Sequence, residues 1–255
     1  MSTELILTAV AAGIFIGSVL GFIGAGGAMV TVPILLYLFD FSPVNATTAA
    51  LAVVFLAAIA GLGPKFKSKD VLVKEALTIW ALGLVTNIGL GLVITKIPDQ
   101  VILIGFSIVL IGAGYSMLRA PIKEAPEKTM PTWALVLLSL LIGSLTGLFG
   151  IGGGFLAIPV LVLFFHTPQN KAAGTSLLII ALNCLTAFIA KSSLWSEIDW
   201  HYPVIMAVAA VVIARFTSHL APKAPTIHLK RGFAFLLFTL AAFTIITELL
   251  ASKTI

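Results

Sequence analysis

Charge is what this chain has least of. Only 10% of its 255 residues are Asp, Glu, Lys or Arg, against about 25% in a soluble domain. The few charges fall in short stretches, and the apolar runs between them are about 20 residues or longer, enough to cross a hydrocarbon core of about 30 Å. With 60% hydrophobic residues and a mean hydropathy of +1.15, a soluble globular domain is excluded. In lipid only helices and closed barrels satisfy their own backbone, and the alternating pattern of a barrel is absent. The fold class is therefore an all-α, polytopic helical membrane protein.

Other absences narrow the function. Cys184 is the only cysteine, so no intrachain disulfide exists; inside an apolar segment it reads as a packing residue. The N-terminal stretch MSTELILTAV lacks the basic start of a secretory signal and is read as mature structure. The net charge of +5 does not argue for nucleic acid, because the basic residues flank spans, where Lys and Arg set orientation. No carboxylate stands mid-span: Glu75, Glu197, Asp199 and Glu248 all lie near segment ends. Nor does any Lys or Arg stand mid-span on this reading. Proton relays and sodium sites commonly use intramembrane carboxylates, so a cation carrier is disfavoured.

His166, His201, His219 and His228 also fall at segment ends, without the close spacing of a metal site, and no metal or other cofactor is expected. His166 reads as an interfacial residue, with gating or proton coupling as the alternative. Trp80, Trp133, Trp195 and Trp200 read as interfacial anchors. No serine–histidine–acid or cysteine–histidine set stands out, so no catalytic residue is assigned and an enzyme is not expected.

Eight apolar segments can be drawn, near 4–39, 44–62, 71–95, 100–119, 132–165, 171–190, 201–220 and 229–251. The first and fifth are too long for one crossing, and glycines followed by a proline interrupt each. They also match each other: GSVLGFIGAGGAMVTVP at 17–33 and GSLTGLFGIGGGFLAIP at 143–159 share seven identities at an offset of 126. Downstream, Asn45 to Thr48 resembles the run Asn170 to Ser176 with a slip of about one residue. The chain is thus a duplication: residues 1–120 form the first repeat, 121–131 a polar cytoplasmic linker, and 132–255 the second repeat.

The positions of the basic residues choose an arrangement. If segments 1 and 5 each enter and return on one side, as two half-helices, then 12 basic residues share one face: Lys65, Lys67, Lys69, Lys74, Arg119, Lys123, Lys128, Lys171, Arg215, Lys223, Lys230 and Arg231. Lys96, Lys191 and Lys253 are the 3 on the other, and the two sets add to the 15 present. Single crossings weaken the split to 9 against 6. The positive-inside rule favours re-entry, two inverted repeats of four segments, and both termini outside.

The glycine clusters Gly24, Gly26, Gly27 and Gly150, Gly152, Gly153, Gly154 are the sharpest motif. Where a helix breaks, the next one begins with free N–H groups and a positive dipole end, an anion site that needs no charged side chain. Glycine-interrupted segments at matching positions of two repeats are a pointer to a transporter site. The flanking pairs Gly17/Gly21 and Gly143/Gly147 fit close helix packing instead. Neither cluster is a nucleotide loop: no lysine follows as a phosphate loop requires, and Met29 and Phe155 stand where the dinucleotide pattern needs its last glycine.

Beside the clusters, Thr48, Thr175 and Ser176 offer hydroxyls to anion oxygens, against the alternative that they and Asn45 and Asn170 serve only helix starts. Asn87 and Asn183 lie deep in segments 3 and 6, where a buried amide needs a partner; interhelical hydrogen bonding comes first and cavity lining second.

The twin motifs GFIGAGGAMVTVP and GLFGIGGGFLAIP, followed by KAAGTSL at 171–177, resemble the TauE/SafE (TSUP) sulfite exporter family over essentially the whole chain. The resemblance implies a transporter of small sulfur-containing anions (sulfite, thiosulfate, sulfonates) or organic acids. In the first repeat Thr48-Ala49-Ala50 replaces the Gly-Thr-Ser of the second, which makes the two sides of a shared site unequal.

The expected function is a secondary transporter in the inner membrane that moves a small anion by alternating access. Its partners are the anion and membrane lipid. Proton coupling and a homodimer are left open by the sequence. A passive anion channel and a non-transporting scaffold subunit are the alternatives.

Overall fold

The computed structural model describes residues 3–118, 131–154, 156–158, 161, 167–221 and 226–251. Among them every regular element is helical: α1 (Thr3–Ile23), α2 (Gly27–Leu38), α3 (Pro43–Lys67), α4 (Val73–Val93), α5 (Asp99–Leu118), α6 (Thr132–Phe149), α7 (Gln169–Ala190), α8 (His201–Leu220) and α9 (Thr226–Ala251), with 3₁₀ turns at Ile94–Lys96 and Ser192–Glu197. A second short helical arm starts at Gly154. Among the described residues, seven helices are long and apolar enough to cross a membrane. Large apolar side chains such as Leu7, Val85, Ile108, Leu137, Val208 and Phe235 face outward. In water such a surface would be a liability; against lipid tails it is the expected solvent-facing side.

The helix ends follow from local chemistry. Ser42 caps α3, its side chain accepting from the Asn45 N–H at 3.3 Å, and Pro43 takes the first turn, where a missing N–H costs nothing. Asp199 accepts from the His201 N–H at 3.1 Å and also contacts that ring, which holds the start of α8. The bond to His201 keeps this exposed carboxylate below its usual range.

Two expectations about segment ends are corrected. Segments 1 and 5 do break at their glycine clusters, but not into two half-helices: α1 alone, at 21 residues, is about 31 Å long and can span the core. Only its second limb, the 12-residue α2, is short. The second repeat has the same plan, with the 18-residue α6 followed by the arm from Gly154. Second, segment 2 does not stop at residue 62. Pro64 falls late in α3, and the helix continues to Lys67, carrying Lys65 into it.

Helix directions can be read from the contacts. A Cβ on Gly13 would meet Met206 and Ala209, one on Gly17 would meet Ala210, and one on Gly21 would meet Ala214 and Thr217. Residue numbers rise together, so α1 and α8 run parallel. In the same way Gly83 meets Ser139 and Gly147 meets Asn87, so α4 and α6 run parallel. The first helix of each half is thus packed on the third membrane-length helix of the other. The α3 helix runs with α8: Asn45 Nδ2 donates to the Glu197 carbonyl at one end, and Ser218 Oγ donates to the Gly61 carbonyl at the other.

Candidate functional site

Both chain reversals are built from glycine in the left-handed region: Gly24 (φ 78°) and Gly26 (φ 91°) in the first, Gly150 (φ 67°), Gly152 (φ 73°) and Gly153 (φ 67°) in the second. Side-chain-bearing residues pay steric energy there, which is why the motif needs glycine at these positions. Each returning arm lies against the limb that precedes it. A Cβ on Gly27 would strike Leu20, one turn inside the end of α1, and a Cβ on Gly153 would strike Ile142 and Thr146 of α6.

The two reversals also reach into opposite halves at matching positions. Gly24 abuts Ala173 of α7, and Gly150 abuts Thr47 of α3; both members of each pair are related by the offset of 126. Gly154 begins the second arm beside Ser176 and Ile180, near the middle of α7, and the Ser176 hydroxyl donates to the Gly154 carbonyl at 2.8 Å. Ser176 is therefore joined to the glycine break.

The other hydroxyls are engaged elsewhere. Thr48 donates to the Val44 carbonyl. Thr175 donates to the Lys171 carbonyl and accepts from the Leu72 N–H at 3.0 Å, tying α7 to the connection between α3 and α4. Neither Asn45 nor Asn170 caps a helix: Ser42 and Pro168 hold those positions, Asn45 bridges to Glu197, and Asn170 is exposed.

Asn87 and Asn183 are both fully buried and meet across α4 and α7. Asn87 Nδ2 lies 3.1 Å from the Asn183 carbonyl, 3.2 Å from Asn183 Oδ1 and 2.9 Å from Thr186 Oγ1. Replacing Asn87 by Leu would strip these acceptors of their donor. A buried polar group left unpaired costs about 1–3 kcal/mol, so Asn87→Leu should lower the melting temperature of the detergent-solubilised protein by several degrees. An unchanged melting curve would show that the pair does not hold α4 to α7.

Cys184 is buried. Trp195 stacks on Phe188, with its Nε1 on the Phe188 carbonyl, and Trp200 Nε1 donates to the Trp195 carbonyl; these two tryptophans hold the 3₁₀ turn together, a local role that position alone does not reveal. Trp133 is largely exposed. His219 lines an apolar groove beside Lys67 and Arg215. His166 and the side chain of His228 lie outside the described residues. Among the described residues no group of three His, Cys, Asp or Glu side chains gathers to hold a metal.

The sequence reading missed two lysines. Lys65 and Lys191 are 2% and 1% exposed, although both were assigned to solvent-facing loops. They are separated by 126 residues, the repeat offset, and that was the signal that would have singled them out. Lys65 has a carboxylate nearby, Asp70, whereas Lys191 Nζ has no hydrogen-bond partner.

A family model described as sulfite exporter TauE/SafE matches residues 9–244. A probable membrane transporter protein of Methanocaldococcus jannaschii is 29% identical over 191 residues, covering 69% of this chain and 70% of that one. The probable membrane transporter protein YunE of Bacillus subtilis is 27% identical over 226 residues, 78% and 82% of the two chains. One from Xylella fastidiosa is 29% identical over 192 residues, 71% of each. With seven membrane-length helices among the described residues, two glycine-built reversals and a family match across nearly its whole length, the chain belongs to the sulfite exporter TauE/SafE family of multi-pass membrane transporters.

Proposed function

We propose that the protein is a secondary transporter of a small anion, sulfur-containing or an organic acid, working by alternating access in the inner membrane. The observation that carries this reading is the doubled reversal. Each half supplies a helical arm that starts at a glycine break, and in the second half that start sits beside the middle of α7, at Ser176. Backbone N–H groups at such a start replace the hydration of an oxyanion without a fixed charge.

The site comprises Gly24, Gly26, Gly27 and Thr48 from the first half with Gly150, Gly152, Gly153, Gly154, Thr175 and Ser176 from the second. Thr48 and Thr175, engaged in other hydrogen bonds in this conformation, would turn toward the anion only as the halves move. The parallel pairs α1–α8 and α4–α6 support a reading of the halves as inverted, interlocked units that rock against each other.

The direct test is uptake of labelled sulfite, thiosulfate and a short sulfonate into proteoliposomes, with and without an imposed proton gradient. Saturable uptake of one of them is expected, and dependence on the gradient would assign the coupling. Uptake that rises linearly with concentration and ignores the gradient would mean a channel instead. No uptake of any would remove the sulfur anions and leave an organic acid or the scaffold role.

A further inference from the structure

Five buried side-chain nitrogen or oxygen atoms lack a partner among the described residues, and three of them border one interface: Asn87 Oδ1, Asn183 Nδ2 and Lys191 Nζ. Asn183 stands on α7 and Lys191 caps its C-terminal end eight residues further on, about 12 Å along the axis and about 80° round it; both border α4. Asn87 meets Asn183 there. Lys191 Cε lies 3.7 Å from where a Cβ on Gly91 would stand, with the Gly147 backbone of α6 beside it. Gly91 and Gly147, both buried, make the room that the lysine side chain occupies.

The repeat supplies an internal control. Lys65 stands at the matching position of the first half, and its loop provides Asp70. The residue at that offset in the second half is Ser196, and the nearby carboxylates Glu197 and Asp199 are exposed. Lys191 is therefore a buried amine for which the fold provides no counter-ion, and its charged form is costly when nothing else compensates it.

We propose that Lys191 and Asn183, where α7 packs on α4 and α6, form a cationic binding subsite for a small oxyanion. The ammonium supplies the charge and the Asn183 amide supplies a second donor. The subsite is separate from the glycine breaks, and its ligand class rests on the reading of the chain as an anion carrier. By its place past the end of α7, at the Asn45–Glu197 end of the bundle, it is a point where an anion is held on entering or leaving.

The test is equilibrium binding of radiolabelled sulfate to the purified full chain in detergent, with melting temperature measured in parallel. Wild-type protein should bind sulfate and melt higher in its presence. Lys191→Met should weaken binding by about tenfold or more, the loss expected for a charge-assisted hydrogen bond, whereas Lys65→Met should leave it unchanged. Removing a buried amine that has no partner relieves a desolvation cost, so Lys191→Met should melt no lower than wild type without sulfate; that result separates lost binding from misfolding.

Sulfate binding that survives Lys191→Met, no binding by the wild type, or a lower melting temperature of the variant without sulfate would each overturn the subsite. Binding that behaves as expected in a protein that moves no anion into proteoliposomes would keep the subsite and reject the carrier.

Discussion

Gly153→Val is expected to abolish anion uptake into proteoliposomes while the variant still reaches the membrane and purifies as a single species. Two independent costs meet at this residue. Its φ of 67° lies in the left-handed region, which costs an L-residue about 1–2 kcal/mol and a β-branched one more. A Cβ there would also press on Ile142 Cγ2 and stand 3.0 Å from the Ile142 carbonyl oxygen. The carbonyl belongs to the α6 backbone and cannot swing aside. The chain must therefore shift where the second arm begins, and with it the N–H groups that the transport reading aims at the anion. Most of the buried core, from Ile16 and Leu20 to Leu177 and Ala210, lies away from this turn, which is why the fold should persist. Gly153→Ala keeps the φ cost with one methyl in place of the branched side chain and should retain part of the activity. Normal uptake in Gly153→Val would end the glycine-break account of the site.

How much of this could be read before the fold was known differs by feature. The membrane class was legible because hydropathy needs no tertiary information: a run of about 20 apolar residues has few other uses. The duplication was legible from Gly17, Gly21, Gly24, Gly26, Gly27 and their counterparts, since close helix approach at Gly17 and Gly21 and left-handed backbone at Gly24 and Gly26 both demand glycine at a fixed spacing. The length of α1 was not legible. Helix propensity does not say on which side of a glycine pair a break falls, and α1 runs to Ile23 before the chain turns.

The hydroxyls were the least legible. A Thr near a helix start has carbonyls three and four residues back always within reach, and Thr47, Thr48 and Thr175 all use them. Ser176 differs because the Gly154 carbonyl of the opposing arm comes within 2.8 Å, a meeting that only tertiary packing creates. Lys65 and Lys191 were misplaced for the same reason. A lysine at the end of an apolar run is normally drawn out to the interface, and only the packing of α7 against Gly91 and Gly147 covers the second of them.

Gly143→Leu should have the larger effect on the folded protein itself: no monodisperse species after extraction, or a melting temperature far below that of wild type. The α4–α6 contact depends on two glycines facing each other. A Cβ on Gly143 would meet the Gly83 carbonyl oxygen and stand 2.5 Å from Thr86 Oγ1, and a Cβ on Gly83 would stand 2.6 Å from the Ser139 carbonyl oxygen. Helices in lipid gain little from hiding apolar surface from one another, so close backbone approach and interhelical hydrogen bonds must hold them together. Thr86 provides such a bond, donating to the Leu140 carbonyl at 2.8 Å, and a leucine at 143 would push its partner away. Overpacking a tight core site costs about 1–3 kcal/mol, occasionally more; here the obstacle is largely backbone, which places the cost at the upper end. The matching substitution Gly17→Leu, where a Cβ would stand 2.5 Å from the Ala210 carbonyl oxygen, should separate α1 from α8 in the same way. Stable, monodisperse protein from Gly143→Leu would mean that α4 and α6 do not depend on this close approach, and the parallel pairing of the first helix of one half with the third long helix of the other would lose its physical basis.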